Sequence, residues 1–220
     1  MESGFLHILC LVFDKIHIKR YSSLNINMFS AVSRPKMQIK IAFGYKMGVG
    51  KDEACSYLIK KYGGEKISFA SPLYDIQHHA QRVCGFEEEK DRQFLQFIGT
   101  EWARKKDPDV WLKLAIKNTK FEGNFFLSDL RFPNELYGLK KEDWVCVNIV
   151  RQIDPEKRSG TGSSSHVSET ALDNIKTEEW DYLLKNDGSI EEFYEKLDSL
   201  YVKVWREKYY TALSQNDLKS

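Results

Sequence analysis

The segment that most restricts the fold is 38–62, QIKIAFGYKMGVGKDEACSYLIKKY. Residues 38–44 alternate and then run apolar, as a buried strand does, and a glycine-containing turn leads into a helix over 51–62. Its apolar residues Ala54, Cys55, Leu58 and Ile59 fall at helical spacing. Gly63-Gly64 predicts the end of that helix, 65–70 (EKISFA) a second strand, and Pro72 the first turn of another helix. Strand, glycine loop, helix and strand in that order form one βαβ unit, and such units build parallel sheets.

The same alternation continues. Residues 87–106 and 108–120 predict two helices divided by Asp107-Pro108, followed by a strand over 124–128, a helix from about Pro133 and a strand near 144–150. Strand and helix signals resume at Tyr182 and Ser189. The last helix carries Ile190, Phe193, Tyr194, Leu197, Leu200, Tyr201 and Val204 on one broad stripe behind a serine cap. The expected fold is therefore α/β, three layers, with a parallel sheet flanked by helices. Residues 152–165 interrupt it with Gly160, Gly162 and serines at 159 and 163–165, the composition of a mobile lid.

A chain of 220 residues suits one sizeable domain better than two. That domain is expected over 37–220, with 1–36 a variable amino-terminal extension. The apolar run 5–13 (FLHILCLVF) is about half of the roughly 20 residues a bilayer span needs. It also lacks the basic flank and small-residue cleavage site of a signal peptide. The 33 basic residues against 32 acidic ones leave a formal charge of +1, which disfavours a globally basic binder of nucleic-acid polymers. Any polyanion should instead meet a local cluster. The four cysteines, Cys10, Cys55, Cys84 and Cys146, form no CxxC pair, so a reducing, cytoplasmic setting is expected and a structural zinc site is not.

The chemistry concentrates at the first turn. Holding a triphosphate requires consecutive backbone N–H groups turned inward, which glycines permit, and a helix amino terminus aimed at the anion. Gly48 and Gly50 supply the first requirement, and Lys51 supplies charge for the β- and γ-phosphates. The usual phosphate-loop pattern is broken twice: Tyr45 stands where the first glycine belongs, and Asp52 replaces the Ser/Thr after the lysine. The first glycine is then displaced to Gly44, and the Asp52 carboxylate takes Mg²⁺ directly or through its water shell. The plain alternative is a glycine-rich turn with a solvated lysine.

A second signal is 126–135, FLSDLRFPNE, in which an apolar strand runs into Asp129 and Arg131. Ligands of parallel α/β folds bind beyond the carboxyl ends of strands, so both residues should face the phosphate-loop crevice. An acid there can organise Mg²⁺ and an arginine can grip a phosphate, although a surface ion pair would use the same residues. The third signal runs from Arg151 through Lys157 and Arg158 to His166, Ser168 and Glu169. Its cations suit a lid that places charge on a transferred phosphoryl group. His166 could serve as a base or as a hydrogen-bonding structural residue; an acceptor that is already a phosphate needs no base.

The GKD end of the loop, FASPLYDI (69–76), FLQFIGTEWARKKDPDVWLK (94–113), SDLRFPNE (128–135) and HVSETALDN (166–174) resemble, in that order, the motifs of viral deoxynucleoside monophosphate kinases. The resemblance spans about residues 38–200. It implies a P-loop kinase of nucleoside monophosphate kinase-like fold that moves the γ-phosphate of ATP to a dNMP with Mg²⁺. A monomer or homodimer without a membrane partner is expected. By matching motif, Lys46, Gly48, Gly50, Lys51 and Asp52 are expected to hold ATP phosphates and metal. Ser68, Ala70, Arg104, Arg131, His166, Ser168 and Glu169 are expected to hold the acceptor. Lys51, Arg131, Arg151 and Arg158 would stabilise the transferred phosphoryl, with Asp52 and Asp129 at the metal. Trp102 or Trp111 would border the base, or belong to the core. Phosphomevalonate kinases of animal type share the GKD loop and the SD-R-F strand end; dephosphocoenzyme A kinases are fold-level rivals, and a nucleotide-binding module without catalysis is the remaining reading.

Overall fold

The structure, a computed structural model, describes residues 37–44, 46–119, 122–152 and 170–217. The extension 1–36 and most of the expected lid lie outside them, and so does Tyr45. The strands are β1 (Gln38–Gly44), β2 (Glu65–Ile67), β3 (Gly123–Leu127), β4 (Val145–Val150) and β5 (Tyr182–Lys185). All pair in parallel in the order β2-β3-β1-β4-β5. β1 is central because both its faces are apolar: Ile39, Ile41 and Phe43 enter one core cluster and Ala42 the other.

On the first face α1 (Lys51–Tyr62) and the long α7 (Ile190–Asp217) pack against β1 and β3. The stripe expected on α7 is the one buried: Phe193, Leu197, Leu200, Tyr201 and Val204 meet Leu58 of α1, Phe126 and Ile149. A polar clamp fixes the same pair of helices. Tyr57, Tyr62 and Lys61 all donate to the Asp198 carboxylate, and Tyr57 and Tyr62 stack on Tyr194 and Tyr201 with centroids 4.0 and 3.8 Å apart. The helix that begins at the phosphate loop is thus held at its far end by α7.

On the second face α5 (Val110–Lys117) and α6 (Pro133–Lys141) cover the sheet, with Trp111, Leu112, Leu136, Leu139, Trp144 and Trp180 around Phe125, Leu127 and Cys146. Lys40 is a charged exception in the central strand. Its ammonium donates to the Glu142 carbonyl at 2.6 Å, at the end of α6 where unsatisfied carbonyls carry partial negative charge, while burial pushes its pKa down.

Several boundaries differ from the sequence expectation. The second strand stops at Ile67 instead of running to residue 70, because Ser68, Phe69 and Ala70 turn onto Asp129 before α2 (Ser71–Cys84) begins. Residues 87–91 are not helical: buried Gln77 bonds the Glu89 carbonyl and the Asp91 N–H, and Asp91 then caps α3 (Arg92–Gln96) through the N–H of Phe94. The helix expected over 87–106 is three pieces: α3, a π-helical stretch Phe97–Ala103, and α4 (Arg104–Lys106). The next helix starts at Val110 rather than 108, after a turn in which the Asp109 N–H donates to the Asp107 carboxylate.

Candidate active site

β1 delivers the phosphate loop to the carboxyl edge of the sheet. Gly44 is the last residue of β1, and a Cβ there would lie 2.3 Å from the Trp180 ring. Its glycine is therefore demanded by packing against Trp180. The left-handed turns come later, at Gly48 (φ 80°) and Gly50 (φ 104°), the latter capping α1. Gly50 is doubly constrained, because a Cβ would also meet the Asn186 amide at 2.6 Å.

Lys51 opens α1, is 7% exposed, and folds its ammonium onto the Lys46 carbonyl of its own loop. The charge sits over the loop at the helix amino terminus, the position an anion's phosphates would share. Asn186, at the end of β5, holds the loop from outside: its side-chain amide donates to the Val49 carbonyl at 2.9 Å and its backbone N–H to Val150 at 2.9 Å. The amino-acid pattern did not single out Asn186, although the turn-forming run Asn-Asp-Gly-Ser (186–189) between a strand and a helix marks a structured turn. Lys46 forms a half-exposed ion pair with Asp173, tying the loop to the segment after residue 169.

Asp52, on the first turn of α1, accepts hydrogen bonds from Ser128 Oγ and Lys66 Nζ, each at 2.7 Å and both on Oδ1. Burial pushes its carboxyl up, but these two bonds and the charges of Lys66 and Lys51 outweigh it and hold the group below the usual carboxylate range. A carboxylate beside a serine hydroxyl fits Mg²⁺, which takes one or two protein carboxylates and completes its shell with water and substrate phosphates. Among the described residues no group of three or more His, Cys, Asp or Glu gathers as an all-protein cage would.

Asp129, the other acid expected at the metal, is engaged by the neighbouring turn and lines the cleft. Its carboxylate accepts from Ser68 Oγ at 2.7 Å and from the N–H groups of Phe69 and Ala70 at 3.2 and 3.0 Å, pinning the end of β2 to the end of β3. Ser68 thus spends its hydroxyl on the turn, while Ala70 lines the adjoining cleft. That cleft has a volume of about 310 Å³. Its walls are α2 (Leu73, Tyr74), the 92–106 helix (Gln96, Thr100, Arg104) and the β3 end (Asp129, Arg131), and Met47 of the phosphate loop completes it. Through Met47 the cleft adjoins the phosphate loop.

Within it Arg104 pairs with Glu135, whose side chain is 1% exposed, and lies over the Phe132 ring 4.1 Å from its centre. Glu135 also accepts the N–H groups of Arg131 and Phe132, both at 2.9 Å. Burial pushes the Glu135 carboxyl up, against the pull of Arg104 and the Arg131 N–H. Nothing in the motifs marks Glu135 for the site; a glutamate two residues after Pro133 at a helix start is the capping signal that points to it. The π-helical stretch was not legible either. Trp111 donates to the Gly99 carbonyl within that stretch at 2.9 Å, so it is buried core at the cleft wall, whereas Trp102 is 47% exposed beneath Lys106 and does not line the cleft.

The structure therefore brings together Lys46, Gly48, Gly50, Lys51 and Asp52 in the loop, and Ala70, Arg104, Asp129 and Arg131 in the cleft. Arg151 is exposed just past β4 and is not among the cleft residues, and Arg158, His166, Ser168 and Glu169 lie outside the described residues. No helix among the described residues is long and apolar enough to cross a membrane.

No family model matches the chain. It is 35% identical over 151 residues to "Uncharacterized protein ORF77" of Ictalurid herpesvirus 1, covering 66% of this chain and 64% of that protein. It therefore spans somewhat less than two thirds of that relative. It is 29% identical over 185 residues to a protein of Acanthamoeba polyphaga mimivirus described as "Putative deoxynucleotide monophosphate kinase", covering 69% of this chain and 90% of the relative. A solved dephospho-CoA kinase from Campylobacter jejuni overlays with a TM-score of 0.46 at 13% identity, covering 74% of this chain and 96% of that one.

Proposed function

We propose that the chain is an ATP-dependent phosphotransferase that converts deoxynucleoside monophosphates to diphosphates, ATP + dNMP giving ADP + dNDP. The observation that carries the reading is the shared crevice: Met47 of the phosphate loop lines the same cleft as Arg104, Arg131 and the apolar walls of Leu73 and Trp111. A phosphate monoester attached to a flat apolar body suits that lining. The description given to the mimivirus relative, which this chain matches over most of its length, agrees.

Phosphoryl transfer needs little covalent chemistry from the protein; it needs alignment and positive charge on the transferred oxygens. The loop N–H groups and Lys51 hold the donor phosphates. Arg104 and Arg131 grip the acceptor phosphate in line with them, and Arg131, which follows β3 beside the strand that delivers the loop, also serves the transferred group. Mg²⁺, when bound, neutralises charge on the donor phosphates, and Asp52 with Ser128 would hold it. Asp129 keeps the Ser68–Ala70 turn in place. Arg151 and Arg158 are assigned to the lid, and His166, Ser168 and Glu169 to acceptor positioning. The buried thiols Cys55 and Cys146, unpaired among the described cysteines, suit a reducing cytoplasm.

A second reading has one observation behind it. Lys90 and Arg92 also line the cleft, and a further pair of cations suits an acceptor with a second anionic group, such as phosphomevalonate. An ADP-release assay with ATP, Mg²⁺ and a panel of dNMPs, NMPs and phosphomevalonate separates the two. Turnover with one or more dNMPs is expected; a response to phosphomevalonate alone overturns the nucleotide reading.

A further inference from the structure

We infer that Glu135 is a positioning residue for the acceptor site, one carboxylate that orients both the Arg104 guanidinium and the backbone carrying Arg131. The inference rests on the acceptor reading of the cleft. A capping role explains only half of what Glu135 does. Oε2 takes the N–H groups of Arg131 and Phe132, as a glutamate in the first helical turn commonly does. Oε1 reaches across to Arg104 Nη2, 31 residues earlier and on another element.

Arg104 is then fixed on further sides, by Nη1 donating to the Pro108 carbonyl at 3.3 Å and by the Phe132 ring beneath the guanidinium. Phe132 is itself bonded to Glu135, so the carboxylate places both the partner and the platform of the same arginine. Burying a carboxylate and a guanidinium is a poor way to gain stability, since desolvation offsets most of the attraction. The arrangement makes sense at a ligand site. An arginine already held in its working orientation loses less freedom when it grips a dianion, and the binding surplus grows accordingly.

Glu135→Gln in the full chain tests this. The glutamine keeps size and a carbonyl oxygen for the two backbone N–H groups but turns an amide donor toward the donors of Arg104. The acceptor KM should rise about tenfold or more, as for a lost charged hydrogen bond, while the ATP KM stays within about twofold. In an Arg104→Lys background the same change should add little, because Glu135 acts through Arg104. Equal rises in both KM values with a lowered melting temperature, or full additivity with Arg104→Lys, would overturn the inference. If Glu135→Gln fails to fold, Glu135→Asp, too short to reach both partners, must show the same KM split. A readout free of turnover is the ¹⁵N side-chain resonance of Arg104, assigned through Arg104→Lys and titrated with inorganic phosphate. Glu135→Gln should broaden or shift that resonance in the unliganded protein and weaken its response to phosphate. An unchanged resonance and response sinks the inference whether or not the chain proves to be a kinase.

Discussion

The two ends of the crevice are built by different means. The phosphate loop rests first on backbone conformation and close packing, two left-handed glycines and a Trp180 ring against Gly44, to which the Asn186 amide on Val49, the Lys46–Asp173 pair and the Asp198 clamp of α1 on α7 add polar ties. The acceptor cleft is set by long-range polar contacts, with Asp129 gathering the 68–70 turn and Glu135 gathering Arg104, Arg131 and Phe132. Backbone-built sites tolerate few substitutions and change little on binding, whereas a site hung on ion pairs and a π-helical stretch can adjust to its ligand. Donor recognition should therefore be the invariant half of this molecule and acceptor recognition the tunable half.

The largest effect should come from the loop. Lys51→Ala is expected to lower phosphoryl transfer by at least about two orders of magnitude with circular dichroism unchanged, since it removes charge from the transferred oxygens. Near-normal turnover would mean that the loop does not hold the donor. On the cleft side, Arg131→Ala should raise the acceptor KM by about ten- to a hundredfold, the cost of a hydrogen bond to a charged group, and leave the ATP KM nearly untouched. If both constants move together, the two halves are not separable.

Asp52→Asn should raise the Mg²⁺ concentration for half-maximal rate by about tenfold, a loss comparable to removing a metal site's oriented partner. The sign of the pH effect follows from the depressed pKa of Asp52: its stabilising contribution is present above the unfolded value and lost as pH falls through the folded one. Lys66→Ala should move that loss to higher pH, visible in acid-unfolding midpoints. Asn186→Ala leaves the buried Val49 carbonyl without its donor and should cost about 1–3 kcal/mol by chemical denaturation. It should weaken ATP binding several-fold and spare acceptor affinity.

The same division decided what was legible in the amino-acid sequence. α1 spans Lys51–Tyr62 as expected because its apolar spacing, its glycine cap and its packing on α7 all agree. The parallel sheet followed from alternating strands and helices for the same reason. The cleft resisted. Nothing local in EKISFA says that the strand must break after Ile67, because the cause is Asp129, far along the chain. The helix expected from residue 87 starts at Arg92 because Gln77 captures the intervening segment. The π-helical stretch leaves no mark in periodicity short enough to notice, and nothing local says that Trp111, a candidate base neighbour, reaches the cleft wall with its indole N–H on the Gly99 carbonyl. Arg104 and Arg131 stand in recognisable motifs, but the carboxylate that joins them, Glu135, was visible only as a helix-start signal.

Transfer of a phosphoryl group is read on the phosphorus atoms themselves. A ³¹P NMR time course of the protein with ATP, Mg²⁺ and a single dNMP should show the β-phosphate signal of a new nucleoside diphosphate growing as the dNMP signal falls, with equal formation of ADP and none of it with Lys51→Ala. ATP consumed only to inorganic phosphate, or a dNMP signal that never changes with any of the four common bases, would contradict the account.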